Sequence, residues 1–164
     1  GVTRVCLPVE LPKGSISHAI KETGVQTEVF AHGKLPLAFS WRCYASRAFG
    51  LTKTECRHHC ANFPDGMEIK TLDGKPIFTV NGTSILSADT HTLVESVEEM
   101  KEMGVAALRI SPQHKDTAKV ADVFRRRMNG ETGGKDGLAE IKAGCGDNLC
   151  NGWYKAKAGK DYVA

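Results

Sequence analysis

The stretch Phe30–Pro64 reads FAHGKLPLAFSWRCYASRAFGLTKTECRHHCANFP and holds three of the chain's six cysteines. Cys43 is separated from Cys56 by twelve residues, and Cys56 from Cys60 by three. Arg42, Arg47, Lys53, Arg57, His58 and His59 surround them, with Glu55 the one acidic residue in the stretch. Neighbouring cations draw a thiol toward the thiolate that soft metals bind. Three readings of the cysteines stand side by side. They are ordinary buried thiols, or a zinc site completed by His58 or His59, or ligands of an iron–sulfur cluster whose negative charge the cations offset. Spacing alone does not separate the last two.

The rest of the composition bounds the answer. A chain of 164 residues, 41% hydrophobic and 25% charged, suits one ordinary soluble domain with a real core. A net charge of +3 gives no general nucleic-acid signal. No apolar run approaches the roughly 18 residues of a membrane span. Six cysteines allow three disulfides, but disulfide frameworks are short and loop-rich, and Cys56 and Cys60 lie a full turn apart if that segment is helical. Reduced thiols in a cytoplasmic protein are the expectation.

Outward from the cysteine stretch, Thr27–Ala31 reads as a short apolar strand ended by His32-Gly33. Before it, Val2–Leu7 is strand-like, and Ile16, Ala19 and Ile20 mark one face of a helix stopped by Gly24. After it, Met67–Leu72 and Pro76–Val80 flank Asp73-Gly74 as a hairpin. Thr90–Met103 reads as a helix, with Thr92 and Glu95 resembling a capping box. Val105–Ile110 is the next strand, apolar except for Arg109. Thr117–Met128 is a helix whose last turn, Arg125–Arg127, reads as a solvated cationic end. Residues 129–164 read as a glycine-rich loop and a tail, containing Cys145 and Cys150. The order argues for an α/β protein with parallel strands, and so few strands suggest part of a larger (β/α) barrel. The chain reads as a single domain portion, 1–164, with its cysteine loop at 40–64.

Glu28–Gly33 (EVFAHG), the tetrapeptide SWRC at Ser40–Cys43 and the two later cysteines together resemble the signature region of the U32 peptidase-like family. The hairpin, Asn81-Gly82 and Gly104–Ile110 continue the resemblance over most of residues 4–128. It implies a C-terminal portion of a barrel-like U32 domain, with Cys43, Cys56 and Cys60 holding a [4Fe–4S] cluster. Pro36 stands where many members carry a further cysteine, and Ser111-Pro112-Gln113 where many carry Glu-Gly-Arg. Both departures are similar to the UbiV branch of the family. That likeness implies a subunit of an oxygen-independent hydroxylase, acting under anoxia on aromatic quinone precursors of ubiquinone with a UbiU-like partner as a heterodimer. It also implies a fourth cluster cysteine from an upstream segment. A U32-type peptidase, an RNA-hydroxylating relative and a zinc-stabilised binding module are the alternatives.

Other residues carry weaker expectations. His32, at a strand end, and Arg109, within an apolar strand, are candidate substrate-binding groups, each with a structural role as the alternative. Cys6 reads as core, and Cys145 and Cys150 as structural thiols. No nucleophile with its base can be pointed out, so peptidase chemistry has no support in the residues.

Overall fold

The computed structural model describes residues 1–164 apart from Lys53, Lys115 and Asp147. Its contacts separate two compact units, Gly1–Gly33 with Asp89–Ala164, and Lys34–Ala88. Among the described residues there are seven strands and five α-helices, a mixed α/β protein as the sequence predicts.

The first unit is built on parallel pairing. Strand β1 (Arg4–Cys6) pairs with β2 (Gln26–Phe39) through Arg4, Val5 and Cys6 opposite Gln26, Thr27 and Glu28. Strand β6 (Ala107–Ile110) pairs with β2 through Val29 opposite Leu108 and Phe30 opposite Arg109. The ladder slips between Phe30 and His32, the signature of a bulge. The end of β5 (Ser84–Thr92) pairs in parallel with the short β7 (Leu149–Cys150). Helices α1 (Lys13–Thr23), α3 (Val97–Met103), α4 (Thr117–Met128) and α5 (Gly134–Cys145) supply the other half of the core. Ile16, Val29, Ala31, Met100, Val123, Phe124 and Ile141 meet there, each nearly inaccessible to water. Burying side chains of this size stabilises by roughly 1.5–3 kcal/mol each.

Several sequence expectations change here. Strand β2 does not stop at Ala31. It runs through His32 and Gly33, and Ser111 donates its backbone N–H to the His32 carbonyl at 2.8 Å. Gly33 has φ +123°, and a Cβ on it would lie 2.7 Å from the Ser111 Cβ, so the passage is open only to glycine. Thr90–Thr92 are strand rather than helix. Their buried side chains and the bond from the Thr90 N–H to the Asn148 carbonyl favour the ladder, and the helix begins only at Val97. Glu95 accepts the Tyr162 hydroxyl instead of completing a cap.

The glycine-rich loop is largely helix α5. A Cβ on Gly137 would lie 3.0 Å from Arg127 Cδ, so this glycine is a packing gap between helices rather than a breaker. Arg127 itself is not solvated. It is 3% exposed and donates to the Val94 carbonyl at 3.1 Å, to the Thr132 carbonyl and to Glu98. The ordinary solvated-end logic fails because three acceptors converge on this one side chain.

The second unit is antiparallel. The end of β2 from Lys34, strand β3 (Met67–Lys70), strand β4 (Pro76–Asn81) and the start of β5 belong to it. Met67 opposes Val80 and Ile69 opposes Phe78, closing the expected hairpin around Asp73-Gly74. Asn81-Gly82 makes the next tight turn into β5, where Val80 opposes Ile85. Leu35, Ala45 and Val80 are buried in this unit.

Two glycines test the packing with opposite signs. Gly33→Ala is expected to lower stability by about 2 kcal/mol or more. Gly14→Ala, in a helix with nothing within 4 Å of the added carbon, is expected to raise it by up to about 1 kcal/mol. Urea denaturation of both variants checks the pair.

Candidate functional site

The cysteine segment lies within the second unit. After β2 the chain turns through Ser40–Arg42, and the Ser40 N–H reaches the Thr83 carbonyl at 2.7 Å. Helix α2 (Tyr44–Ala48) follows, with Cys43 as its N-cap. The Cys43 Sγ accepts the Ser46 backbone N–H at 3.4 Å. Bonds from the Ser46 hydroxyl and then from its N–H hold the Cys43 thiol below the ordinary thiol range, because both favour the anion.

Cys43 and Cys56 line one cavity of about 670 Å³, together with Trp41, Arg42, Ser46 and Arg47. That volume falls within the roughly 300–1,000 Å³ of small-ligand sites. Cys60 lies in the following 3-10 turn, His59–Asn62, outside the wall of this cavity. Between the two cysteines the backbone enters the left-handed region at Arg57 (φ 45°) and His58 (φ 54°), an uncommon and costly conformation for side-chain-bearing residues. His59 packs its ring against Phe49 at 4.3 Å, and Phe49 stacks on Phe63 at 5.7 Å. These rings tie α2 to the 3-10 turn. Among the described residues, no three His, Cys, Asp or Glu side chains are grouped closely enough to hold a metal. The chain thus brings Cys43 and Cys56 to a shared chamber and leaves Cys60 beside it.

The remaining candidates belong to the first unit. His32 is 1% exposed, and its ring lies edge-on to Phe124. Its Nδ1 is 3.3 Å from the Thr92 hydroxyl and its Nε2 is 3.8 Å from Cys145 Sγ. Burial holds its pKa down to about 4. His91 is held down to about 4 by burial first and by the neighbouring His32 second, while its bond to the Phe30 carbonyl opposes the shift. Both rings are therefore neutral at physiological pH. Arg109 forms an ion pair with Glu28, whose carboxyl is held below the usual range chiefly by that bond. Cys6, read as core from the sequence, is exposed in β1 directly across from Glu28, and desolvation by its neighbours is the chief cause raising its thiol pKa. Burial also raises Cys145 and pushes Cys150, inaccessible in β7, up to about 12. Cys6, Cys145 and Cys150 are thus poor thiolates, and Cys43 is the opposite case.

Sequence reasoning missed Ser46, Trp41 and Thr92 as partners. Ser46 three residues after Cys43 is the spacing of an N-cap contact, a signal present in the sequence. The pairing of His32 with Cys145, 113 residues apart, left no signal in spacing.

The model of peptidase family U32 matches residues 1–160, and the chain belongs to that family. The chain is also 26% identical over 133 residues to tRNA hydroxylation protein P1 of Bacillus subtilis (strain 168). The overlap covers 77% of this chain and 32% of that protein, so the chain spans about a third of its relative's length. No solved structure matches. No helix among the described residues is long and apolar enough to cross a membrane.

The two buried histidines make stability fall with acid. Their folded pKa values, about 4, lie below the ordinary 6.5, so between these values the unfolded chain binds more protons. Stability is complete above pH 6.5 and declines as pH falls toward 4, by up to about 3 kcal/mol per histidine. Urea midpoints measured from pH 7.5 to 4 check this, and His91→Gln is expected to flatten the decline.

Proposed function

We propose that this chain carries the cluster-binding part of a U32-family hydroxylase, with Cys43, Cys56 and Cys60 as ligands of a [4Fe–4S] centre. The observation that carries this is the convergence of Cys43 and Cys56 on one chamber whose wall also bears Arg42 and Arg47. Cys43 is already biased toward the thiolate a metal requires. The two guanidiniums supply positive charge where a thiolate-bound cluster is anionic. Cys60, one short turn beyond the chamber, is the nearest further thiol in sequence, and a fourth ligand comes from elsewhere. When bound, such a centre supplies or accepts single electrons at a potential set by ligands, charge and burial. This chain's residues would hold it and offset its charge.

The substrate reading follows the departures at Pro36 and Ser111–Gln113. We assign the chain to oxygen-independent hydroxylation of ubiquinone precursors, in a heterodimer with a UbiU-like protein. A second substrate reading is favoured by the likeness to tRNA hydroxylation protein P1: hydroxylation of a transfer RNA. Both use the same cysteine chamber. Zinc in place of iron would make the segment a stabilising module without redox chemistry.

Anaerobic purification followed by iron, sulfide and zinc analysis tests the ligand set. The expected result is a brown protein with near-equal iron and sulfide, reduced several-fold in Cys43→Ala, Cys56→Ala and Cys60→Ala. Stoichiometric zinc without iron contradicts it. Loss of ubiquinone only under anoxia in a deletion strain supports the quinone reading, whereas loss of a hydroxylated nucleoside with normal quinone supports the RNA reading.

A further inference from the structure

Trp41 is 100% exposed, although indole is among the side chains that gain most from burial. It forms part of the wall of the chamber that Cys43 and Cys56 line. Arg42 and Arg47 share that wall. Their condition differs from that of the arginines of the first unit. Arg4 is bonded to Gln26, Arg109 to Glu28, Arg125 and Arg126 to Asp122, and Arg127 to Glu98. Among the described residues, Arg42 and Arg47 take part in no ion pair or side-chain hydrogen bond from their guanidiniums. Two uncommitted planar cations and one uncovered aromatic face therefore border a single ligand-sized space.

We propose that Trp41, Arg42 and Arg47 form a binding site for a flat aromatic ring carrying a carboxylate or phosphate, held beside Cys43 and Cys56. The indole offers the largest aromatic face for offset stacking of such a ring. A guanidinium takes a carboxylate or phosphate through two parallel hydrogen bonds, which fixes the anion's direction as well as its charge. A neutral ring keeps only the stacking, and an aliphatic acid keeps only the ion pair, so the site selects the combination. Leu51 and Gly50 complete an apolar, uncrowded part of the wall. The placement beside the cysteines rests on the chamber being the reaction centre described above, but binding itself does not require the metal. Two sources share this chemistry: a free aromatic acid, and a nucleotide.

The chain has two tryptophans, Trp41 and Trp153, and the latter packs against Gly159. Trp153→Phe leaves Trp41 as the sole indole reporter. Its fluorescence is titrated with 4-hydroxybenzoate, with phenol as the neutral ring, with acetate as the ringless anion, and with uridine monophosphate. We expect saturable quenching by at least one ring-bearing anion, binding at least tenfold tighter than phenol or acetate, and at least a tenfold loss in Arg42→Met/Arg47→Met. Trp41→Ala, followed by calorimetry, loses binding to the same degree with unchanged circular dichroism, since its side chain is fully exposed. Saturation by 4-hydroxybenzoate alone identifies the small acid, and by the nucleotide alone identifies the nucleic-acid source. Quenching that is the same for phenol and for the double arginine variant overturns the site. So does the absence of saturation by both anions. Iron analysis on the same preparations keeps the two readings apart. Iron without ring binding sinks this site and leaves the cluster reading standing, and ring binding without iron does the reverse.

Discussion

Strand β2 is a single extended run that passes from one compact unit into the other, and its continuity depends on the absence of a side chain at Gly33. There the backbone crosses so close to Ser111 that a methyl group would overlap its Cβ, and His32 accepts the Ser111 N–H at the same step. On one side of that point Val29 and Ala31 belong to a helix-covered parallel core. On the other side Leu35 is buried in an antiparallel sheet, and the chain then delivers Trp41, Arg42 and Cys43. The cysteine segment is irregular, but it hangs from regular structure at both ends, through β2 before it and β3 after it. A functional loop held by rigid elements is the usual way to place reactive groups.

The units differ in how they treat charge. In the first, buried or half-buried cations find acceptors: Arg127 has three, and Arg126 shares Asp122 and Glu140. His32 and His91 there are kept neutral by burial. In the second, the stretch from Ser40 to Phe63 carries Arg42, Arg47, Lys53 and Arg57 against Glu55 alone, a surplus equal to the +3 of the whole chain. Charge left unneutralised in one place is a standing cost in self-repulsion, which an anionic guest removes. The low thiol pKa of Cys43 and the free guanidiniums of Arg42 and Arg47 point the same way.

Much of the fold was legible in the sequence, and the failures have physical causes. The hairpin at Asp73-Gly74 and helix Thr117–Met128 follow from turn chemistry and period, which tertiary contacts did not override. The helix expected from Thr90 began late because Thr90–Thr92, with β-branched threonines at both ends, were recruited to pair with the β7 region. Glycines at 134 and 137 read as a loop because a sequence cannot show that Arg127 needs the space a Cβ would fill. At the site, Cys43 and Cys56 line one cavity, an arrangement that twelve intervening residues do not by themselves fix. The position of Cys60 was not legible either, since it depends on a left-handed backbone at Arg57 and His58 that no residue there announces. His32 reads as a strand end in the sequence, whereas β2 continues through it to Phe39, and its partners Thr92 and Cys145 are set by tertiary packing alone.

What joins these observations is a thiol chamber in which one cysteine is electrostatically prepared, a second shares the wall, and a third waits one short turn away. X-ray absorption at the iron edge of anaerobically isolated protein examines that chamber without reference to activity. A first shell made of sulfur, with an iron–iron distance beyond it, is the expected spectrum, and both features should be lost in Cys43→Ser. Iron surrounded by nitrogen and oxygen, or a cluster signal that persists without Cys43, would contradict it.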